Sequence, residues 1–561
     1  MNFLKKNYDF KQKIKIQSRN SIKLLLILTV FTLLFNCEKE ESFEATTQNE
    51  QAIEQPNGVP TILGKKLENP YSVENMKNAY QNLQQKSKSG FSKSGNNKIK
   101  TTHLYIKFMP KTEDELSILK RDSTLTLYEY PLDYEITERG DYYRDPSVPN
   151  NQPTYQYCAV KVGKTLPNGV EHERLEELFI PDEDKDDVKG KSSYSYNIDA
   201  LVDEALKITN NLEPEDINIK FRRRKWRPAG AIRVWDDVLD DYIGVEGVKV
   251  RARRWFTTHT GIANINGIYS CDGRFRRDAN YSIDWERYHF ALQDGWLNSA
   301  NYNGPKQKGN WNLNLNSGVQ QYYATIFIAA HLYYYGDRLG LTSPPRNAFF
   351  KRQLRIRARL KRDKSSYIKA RRIYFGSDIS LQAWGNSTDR VFGTTIHELA
   401  HAAHREVDGS AYNSLVWKAY TSPCAPSAES CDHPGPTGAD ARRLMETWAT
   451  TVENFIVRER YVNFYNVQNY TYIDNFLQSL TISEENFYTS CGIDMIDGFN
   501  QREEHNNNLL PIDRVEGYTI NQLESALKSA TSWTEWRVNL RSNETNNTAV
   551  FLNELFSNWT N

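Results

Sequence analysis

The stretch Thr394 to Glu406, T-T-I-H-E-L-A-H-A-A-H-R-E, constrains this chain more than any other. It carries His397, Glu398 and His401 as an H-E-x-x-H run among Ile396, Leu399, Ala400, Ala402 and Ala403, with no Gly or Pro before Gly409. That composition predicts an uninterrupted helix, and residues four apart on a helix lie one turn above each other on the same face. Both imidazoles then reach one tetrahedral zinc ion, with Glu398 beside them and placed to take a proton from water. The chain has ten His, so a chance match of this kind is a roughly one-in-a-hundred event.

A zinc site needs at least three protein donors. Val407 stands ten positions after His397, where the metzincin pattern has a third His, so that pattern fails. His404 shares the face of His397 but sits seven residues on, about 10 Å along the axis, too far for one ion with bonds near 2 Å. It is assigned to support behind the ligands or to packing. Glu446, in R-L-M-E-T-W-A-T-T-V-E-N-F, is the best third ligand: Leu444, Trp448, Val452 and Phe455 give its segment the apolar stripe of a helix. Glu453 shares that face and is its rival.

I-H-E-L-A-H-A-A-H resembles the active-site helix of zincin metallopeptidases, and the Glu446 segment resembles the glutamate helix of gluzincins. The resemblance implies a zinc-dependent hydrolase of peptide bonds. One Zn2+ per chain would be held by His397, His401 and Glu446, with Glu398 as general base. Two features depart from the thermolysin-like group. The 44 residues between His401 and Glu446 are a longer spacing, and Thr450 stands where that group carries an Asp holding the first His. Glu453 or Thr450 could supply that support. His433 or a Tyr is the candidate donor to the oxyanion.

The N-terminus reads as a targeting segment. A basic region from Lys5 to Lys23 precedes the apolar run Leu24 to Phe35, too short to span a bilayer, and then Cys37. Leu34-Phe35-Asn36-Cys37 resembles a bacterial lipoprotein signal, with Cys37 lipidated after cleavage. Glu38 to Glu41 resembles the surface-export signal of lipoproteins in the Bacteroidota. The implied location is the cell envelope, on the outer membrane and facing outward. Five Cys remain, an odd number, and Cys424 with Cys431 is the expected disulfide. The net charge of +1 gives no reason to expect a nucleic-acid partner.

The expected fold class is multidomain α+β. Residues 1–37 form the signal and 38–97 a flexible linker of Gln, Asn, Ser and Lys. Residues 98–215 form a small α+β module, with Glu171, Glu173, Glu176 and Glu177 on a solvated helix face. In 216–295, Ala231 to Asp236 and Gly247 to Ala252 alternate apolar and charged residues as strands do, and Asn266-Gly267 marks a turn. G-V-x-V followed by T-G-x-x-x-x-N-G-x-Y resembles the carboxypeptidase regulatory-like, prealbumin-type β-sandwich, an accessory module. The arginines of 251–254 are expected on its outward strand faces. Residues 310–561 are assigned to the zincin-like domain: a buried helix from Val319 to Tyr335, a mixed sheet, the zinc helix and a helical C-terminal lobe. Ile379 to Trp384 is its expected edge strand, where a protein or peptide substrate could add. Residues 410–443 are expected to be an irregular insertion. The competing reading is a zincin-like surface protein that binds host protein or glycan through the sandwich, with structural zinc.

Overall fold

The computed structural model describes residues 58–560 apart from 87–98, 182–197, 214–224, 296, 349–351, 363–364, 368–377, 422–434, 473 and 483–486. The signal segment, Cys37, the pair Cys424 and Cys431, and His433 lie outside the described residues. The architecture is mixed, with several small sheets, mostly antiparallel, followed by helices.

The N-terminal part comprises β1 (Ile62–Lys66), α1 (Val73–Lys86), β2 (His103–Phe108), α2 (Glu113–Arg121), β3 (Tyr134–Glu138), β4 (Gln156–Lys161), β5 (His172–Leu178) and α3 (Ile198–Ile208). β2 lies between β4 and β5 in an antiparallel sheet, and β1 pairs with β3. α2 starts where it does because Thr112 caps it, its side chain accepting from the Glu115 N–H. Three acidic residues in its first turn and Lys120 and Arg121 in its last complement the helix dipole. Two expectations are corrected here. Residues 58–86 of the expected linker are folded, because Met76, Ala79 and Tyr80 give α1 an apolar face that packs against α3. The acidic run after Gly169 is strand β5 rather than a helix, with its glutamates alternating across an edge of the sheet.

The central part holds β6 (Ala229–Asp236), β7 (Asp241–Gly244), β8 (Lys249–Arg254), β9 (Thr257–Ile262), β10 (Ile268–Ser270), β11 (Ala279–Asp284), β12 (Phe290–Asp294), β13 (Asn301–Gln307) and β14 (Trp311–Leu315). One sheet runs β10-β6-β14 with β7 also on β6; the other runs β13-β11-β8-β9. The expected boundary at 295 falls short, since β13 and β14 complete these sheets while β12 joins a different one. Gly267, at φ +76°, closes the turn after Asn264, and any Cβ there would overlap the Ile232 carbonyl. The arginines of β8 are not outward. Arg251 and Arg253 are buried against the N-terminal module, with guanidinium groups over the Tyr128 ring, and Arg251 is paired with Asp284 at 2.5 Å.

The C-terminal part begins with α4 (Gly318–Tyr335), apolar on all sides and buried as such a helix must be. His331 on it stacks against Phe327 and Tyr335 and is a core histidine. β15 (Leu354–Ala358), β16 (Ser366–Tyr367) and β17 (Ile379–Leu381) follow. The sheet order β12-β15-β17-β16 puts β17 inside, with β16 antiparallel at its edge. The expectation of Ile379 to Trp384 as the edge strand is therefore wrong.

Next come α5 (Thr388–Val407), α6 (Gly409–Val416), a π-helical turn Trp417–Thr421 and α7 (Pro436–Arg458). Much of the expected irregular insertion is thus helical, with Pro436 at the first turn of α7, where its missing N–H costs nothing. Short helices α8 (Asp474–Gln478), α9 (Cys491–Asp494), α10 (Gln501–Glu504), α11 (Ile520–Ser525), α12 (Trp533–Asn543) and α13 (Leu552–Ser557) form the rest, more broken than the sequence suggested. α5 is packed between α4 and α7. The central sheets and the helices share one apolar core.

Candidate metal centre

Helix α5 presents His397, Glu398, His401 and His404, each no more than 7 % exposed. Facing it on α7 is Glu446, wholly buried. Nε2 of His397 lies 3.2 Å from Nε2 of His401 and 3.2 Å from Oε2 of Glu446, and His401 Nε2 lies 3.5 Å from that oxygen. The structure thus brings together the three residues expected as ligands.

The donor set fits a tetrahedral metal ion. With bonds of about 2.0–2.2 Å, zinc sets adjacent donors about 3.3–3.6 Å apart, close to the edges of 3.2, 3.2 and 3.5 Å found here. Protonation points the same way. His397 Nδ1 is 3.1 Å from Oε2 of Glu453, so the carboxylate claims the proton on that nitrogen and leaves Nε2 as a lone pair. A carboxylate oxygen and a second imidazole nitrogen face that lone pair, and a cation relieves their mutual repulsion. Burial works to raise the Glu446 carboxyl, but His401 and His397 beside it, in their protonated forms, hold it well below the usual carboxylate range. Burial is also the main reason that the His401 imidazole is driven below its ordinary value.

Two of the three candidate ligands, His397 and Glu446, are held from behind. Glu453 Oε1 accepts from the Tyr472 hydroxyl at 2.8 Å, and the Arg390 guanidinium lies 4.4 Å from the centre of that ring. Gly393, one turn before His397, makes room for this: a Cβ there would overlap the Tyr472 hydroxyl. On the other ligand, Tyr420 donates to Oε1 of Glu446 at 2.9 Å, which leaves Oε2 for the centre. The Arg442 guanidinium packs over the rings of Tyr420 and Phe487.

Of the expected supports, Glu453 does hold His397, seven residues after Glu446 where the thermolysin-like pattern would have a shorter carboxylate after four. The Thr450 hydroxyl is buried with no hydrogen-bond partner among the described residues. His404 is packed rather than supporting: its ring meets Tyr412 edge-on, and neither nitrogen has a partner among the described residues. Burial, then His401, drives its pKa down to about 3, so it stays neutral. Sequence reasoning missed Tyr420, Tyr472 and Gly393. Only Gly393 left a signal, as a glycine inside a helical pattern.

A cavity of about 290 Å³ lies elsewhere, where the N-terminal module meets the central sheets, lined by charged residues including Lys120, Glu129, Arg251 and Glu286. None of its lining residues belongs to α5 or α7. No helix among the described residues is long and apolar enough to cross a membrane. Comparison of the chain with profiles of protein families, with curated proteins and with solved structures found no match.

Proposed function

We propose that this chain is a zinc-dependent peptidase of gluzincin type, with zinc held by His397, His401 and Glu446. The observation that carries the reading is the convergence of two imidazole nitrogens and one carboxylate oxygen at tetrahedral spacing, 3.2–3.5 Å, in a buried setting. Three protein donors leave a fourth position open, the mark of a catalytic rather than a structural site. Bound zinc would supply Lewis acidity, polarising the scissile carbonyl and easing the deprotonation of water.

The chain's own residues supply the remainder. Glu398 follows the first ligand on the same helix, accepts the proton of the attacking water and returns one to the leaving amine. Glu453 and Tyr472 fix the tautomer and ring plane of His397, so that its Nε2 stays a lone pair aimed at the centre. Tyr420 fixes Glu446 through one oxygen, which favours binding through the other alone. The zincin-like resemblance of residues 310–561 supports peptide bonds as the substrate, and the segment ending at Cys37 supports placement as an envelope lipoprotein.

The test is elemental zinc content together with cleavage of casein and peptide libraries, for the chain from residue 38 and its Glu398→Ala and Glu446→Ala variants. One zinc per chain is expected, with cleavage lost in both variants and metal lost only in Glu446→Ala. A chain that takes up no zinc overturns the reading. Zinc uptake with cleavage undiminished in Glu398→Ala overturns the assigned base.

A further inference from the structure

The cavity of about 290 Å³ between the N-terminal module and the central sheets has a floor that strand register explains. On β8, Lys249 and Arg251 alternate with the core residues Val248, Val250 and Ala252. Ser282 on β11 stands opposite Arg251, and Asp284 opposite Lys249. Asn303 and Asn301 on β13 stand opposite those two in turn. Residues directly opposite in an antiparallel pair share a face, so these six side chains make one polar face, and all six line the cavity. Such a face is ordinarily solvated. Here the segment from Leu125 to Tyr130 roofs it and leaves space between.

The charges around that space fall into pairs with a remainder. Arg251 is paired with Asp284 at 2.5 Å, Lys120 with Glu286 at 2.7 Å and Asp122 with Lys164 at 2.8 Å. Arg287 is held by the Gly247 carbonyl and packs over the Tyr335 ring. Lys249 is left over: its ammonium has no hydrogen bond and no ion pair among the described residues. The Arg251 guanidinium beside it, and then burial, push it below its ordinary value, so a negative charge is what the position lacks. On the same face the Ser282 hydroxyl, in a residue 7 % exposed, also has no partner among the described residues. A buried hydroxyl of this kind costs free energy unless something in the cavity meets it.

We propose that this cavity binds a sugar acid, a ligand of monosaccharide size with one carboxylate and several hydroxyls, its carboxylate on Lys249. A pocket for an apolar ligand is lined mainly by hydrophobic side chains, and this one is lined by charges and amides. One free ammonium suits a monoanion, whereas Asp284, Glu286 and Glu129 would repel a phosphate dianion. A zwitterionic amino acid would need a full negative charge for its ammonium, and Asp284 and Glu286 are already paired. Hydroxyls donate and accept, and so match Ser282, Asn301 and Glu129. Burial pushes the Glu129 carboxyl up to about 7, so it can take either part as well, and Asn301 Nδ2 already donates to it at 3.2 Å. At the rim, the exposed side chains of Tyr288 and Ile262 offer apolar surface to the C–H face of a sugar ring. The site shares no residue with α5 or α7 and is independent of the zinc reading.

The test is calorimetric titration of the chain from residue 38 with glucuronate, galacturonate and N-acetylneuraminate, beside glucose as the neutral counterpart of glucuronate. At least one acid is expected to bind with a Kd below about 1 mM, and glucose at least about tenfold more weakly. Lys249→Met keeps the length of the side chain and removes its charge. It should weaken the acid at least about tenfold, with a melting temperature no lower than the parent's, because no partner is lost. Ser282→Ala should weaken it a few-fold. The methyl glycoside of the bound acid separates two sources, and either upholds the proposal: equal binding marks the end of a glycan chain, and lost binding marks a free solute. No binding of any of the three acids up to about 10 mM overturns the proposal. So does glucose binding as tightly as glucuronate, or unchanged affinity for the acid in Lys249→Met.

Discussion

Glu453→Gln is the sharpest probe of the metal centre. Gln has the same shape, so its carbonyl can still accept from His397 Nδ1, but the charge that secures the tautomer and strengthens the imidazole as a donor is gone. In the parent, Glu453 spans His397 at 3.1 Å and Tyr472 at 2.8 Å, and it is 8 % exposed, so water cannot replace it well. Loss of a partner behind a metal-bound imidazole typically weakens metal binding about 10–100-fold, which is about 1.4–2.7 kcal/mol. The assay is competition for zinc against a chromophoric chelator, with cleavage measured at limiting and at excess zinc. The zinc dissociation constant should rise within that range, and excess zinc should restore most of the cleavage. Tyr472→Phe should cost less, and the double variant should fall short of the sum, because both act through one ring. A dissociation constant within about twofold of the parent in Glu453→Gln would refute the argument that this carboxylate secures His397.

Gly393→Ala should displace the Tyr472 ring and weaken zinc a few-fold, while overpacking of about 1–3 kcal/mol outweighs the roughly 1 kcal/mol gained in helix propensity; zinc competition and melting temperature read both. His404→Leu should leave zinc affinity unchanged. The parent's His404 has a folded pKa of about 3, below the unfolded value of about 6.5, so acidification through this whole window favours the unfolded chain by an amount on the order of 5 kcal/mol. Between pH 6 and 4 the variant should lose roughly half of that dependence. Burial lifts Glu129 to about 7, so its protonated form supports the fold below about pH 4.5 and that support is lost as pH rises through 7. Glu129→Gln should therefore match the parent at pH 5 and exceed it at pH 8 by an amount on the order of 3 kcal/mol, read by denaturant titration.

The three candidate ligands were legible from two local patterns: a four-residue spacing on α5, and a glutamate on a separate helix with a clear apolar stripe. Glu453 was legible as a rival for the metal, and the structure gives it to the ring of the first ligand instead. Tyr420 and Tyr472 were not legible. Each arrives from a segment of weak periodicity, and one phenol among 33 tyrosines carries no pattern of its own. The arginines of β8 misled for a related reason. Alternation with apolar residues normally marks a solvated face, but here that face is covered by Tyr128, Tyr130 and the Leu127 and Leu132 carbonyls. Coverage by another part of the chain leaves no trace in the strand's own sequence.

The central sheets also touch the helices of the candidate metal centre, through the tip of the β6–β7 hairpin. Asp237 exchanges two hydrogen bonds with Thr388 at the first turn of α5, at 2.8 and 2.9 Å, and Asp236 accepts from Tyr461, just beyond α7, at 2.8 Å. The contact could serve to position the ligands or only to hold the parts together, and distance decides between these. Thr388 precedes His397 by nine residues, about 13 Å along the helix axis, and α4 and α7 grip α5 in between. Removing the cap should fray the first turn alone. Asp237→Ala should then cost about 1 kcal/mol of stability, the worth of an N-terminal cap, with zinc affinity and cleavage unchanged. A tenfold loss of zinc affinity in that variant would instead make the hairpin part of the positioning apparatus, and the central sheets could no longer be regarded as an accessory.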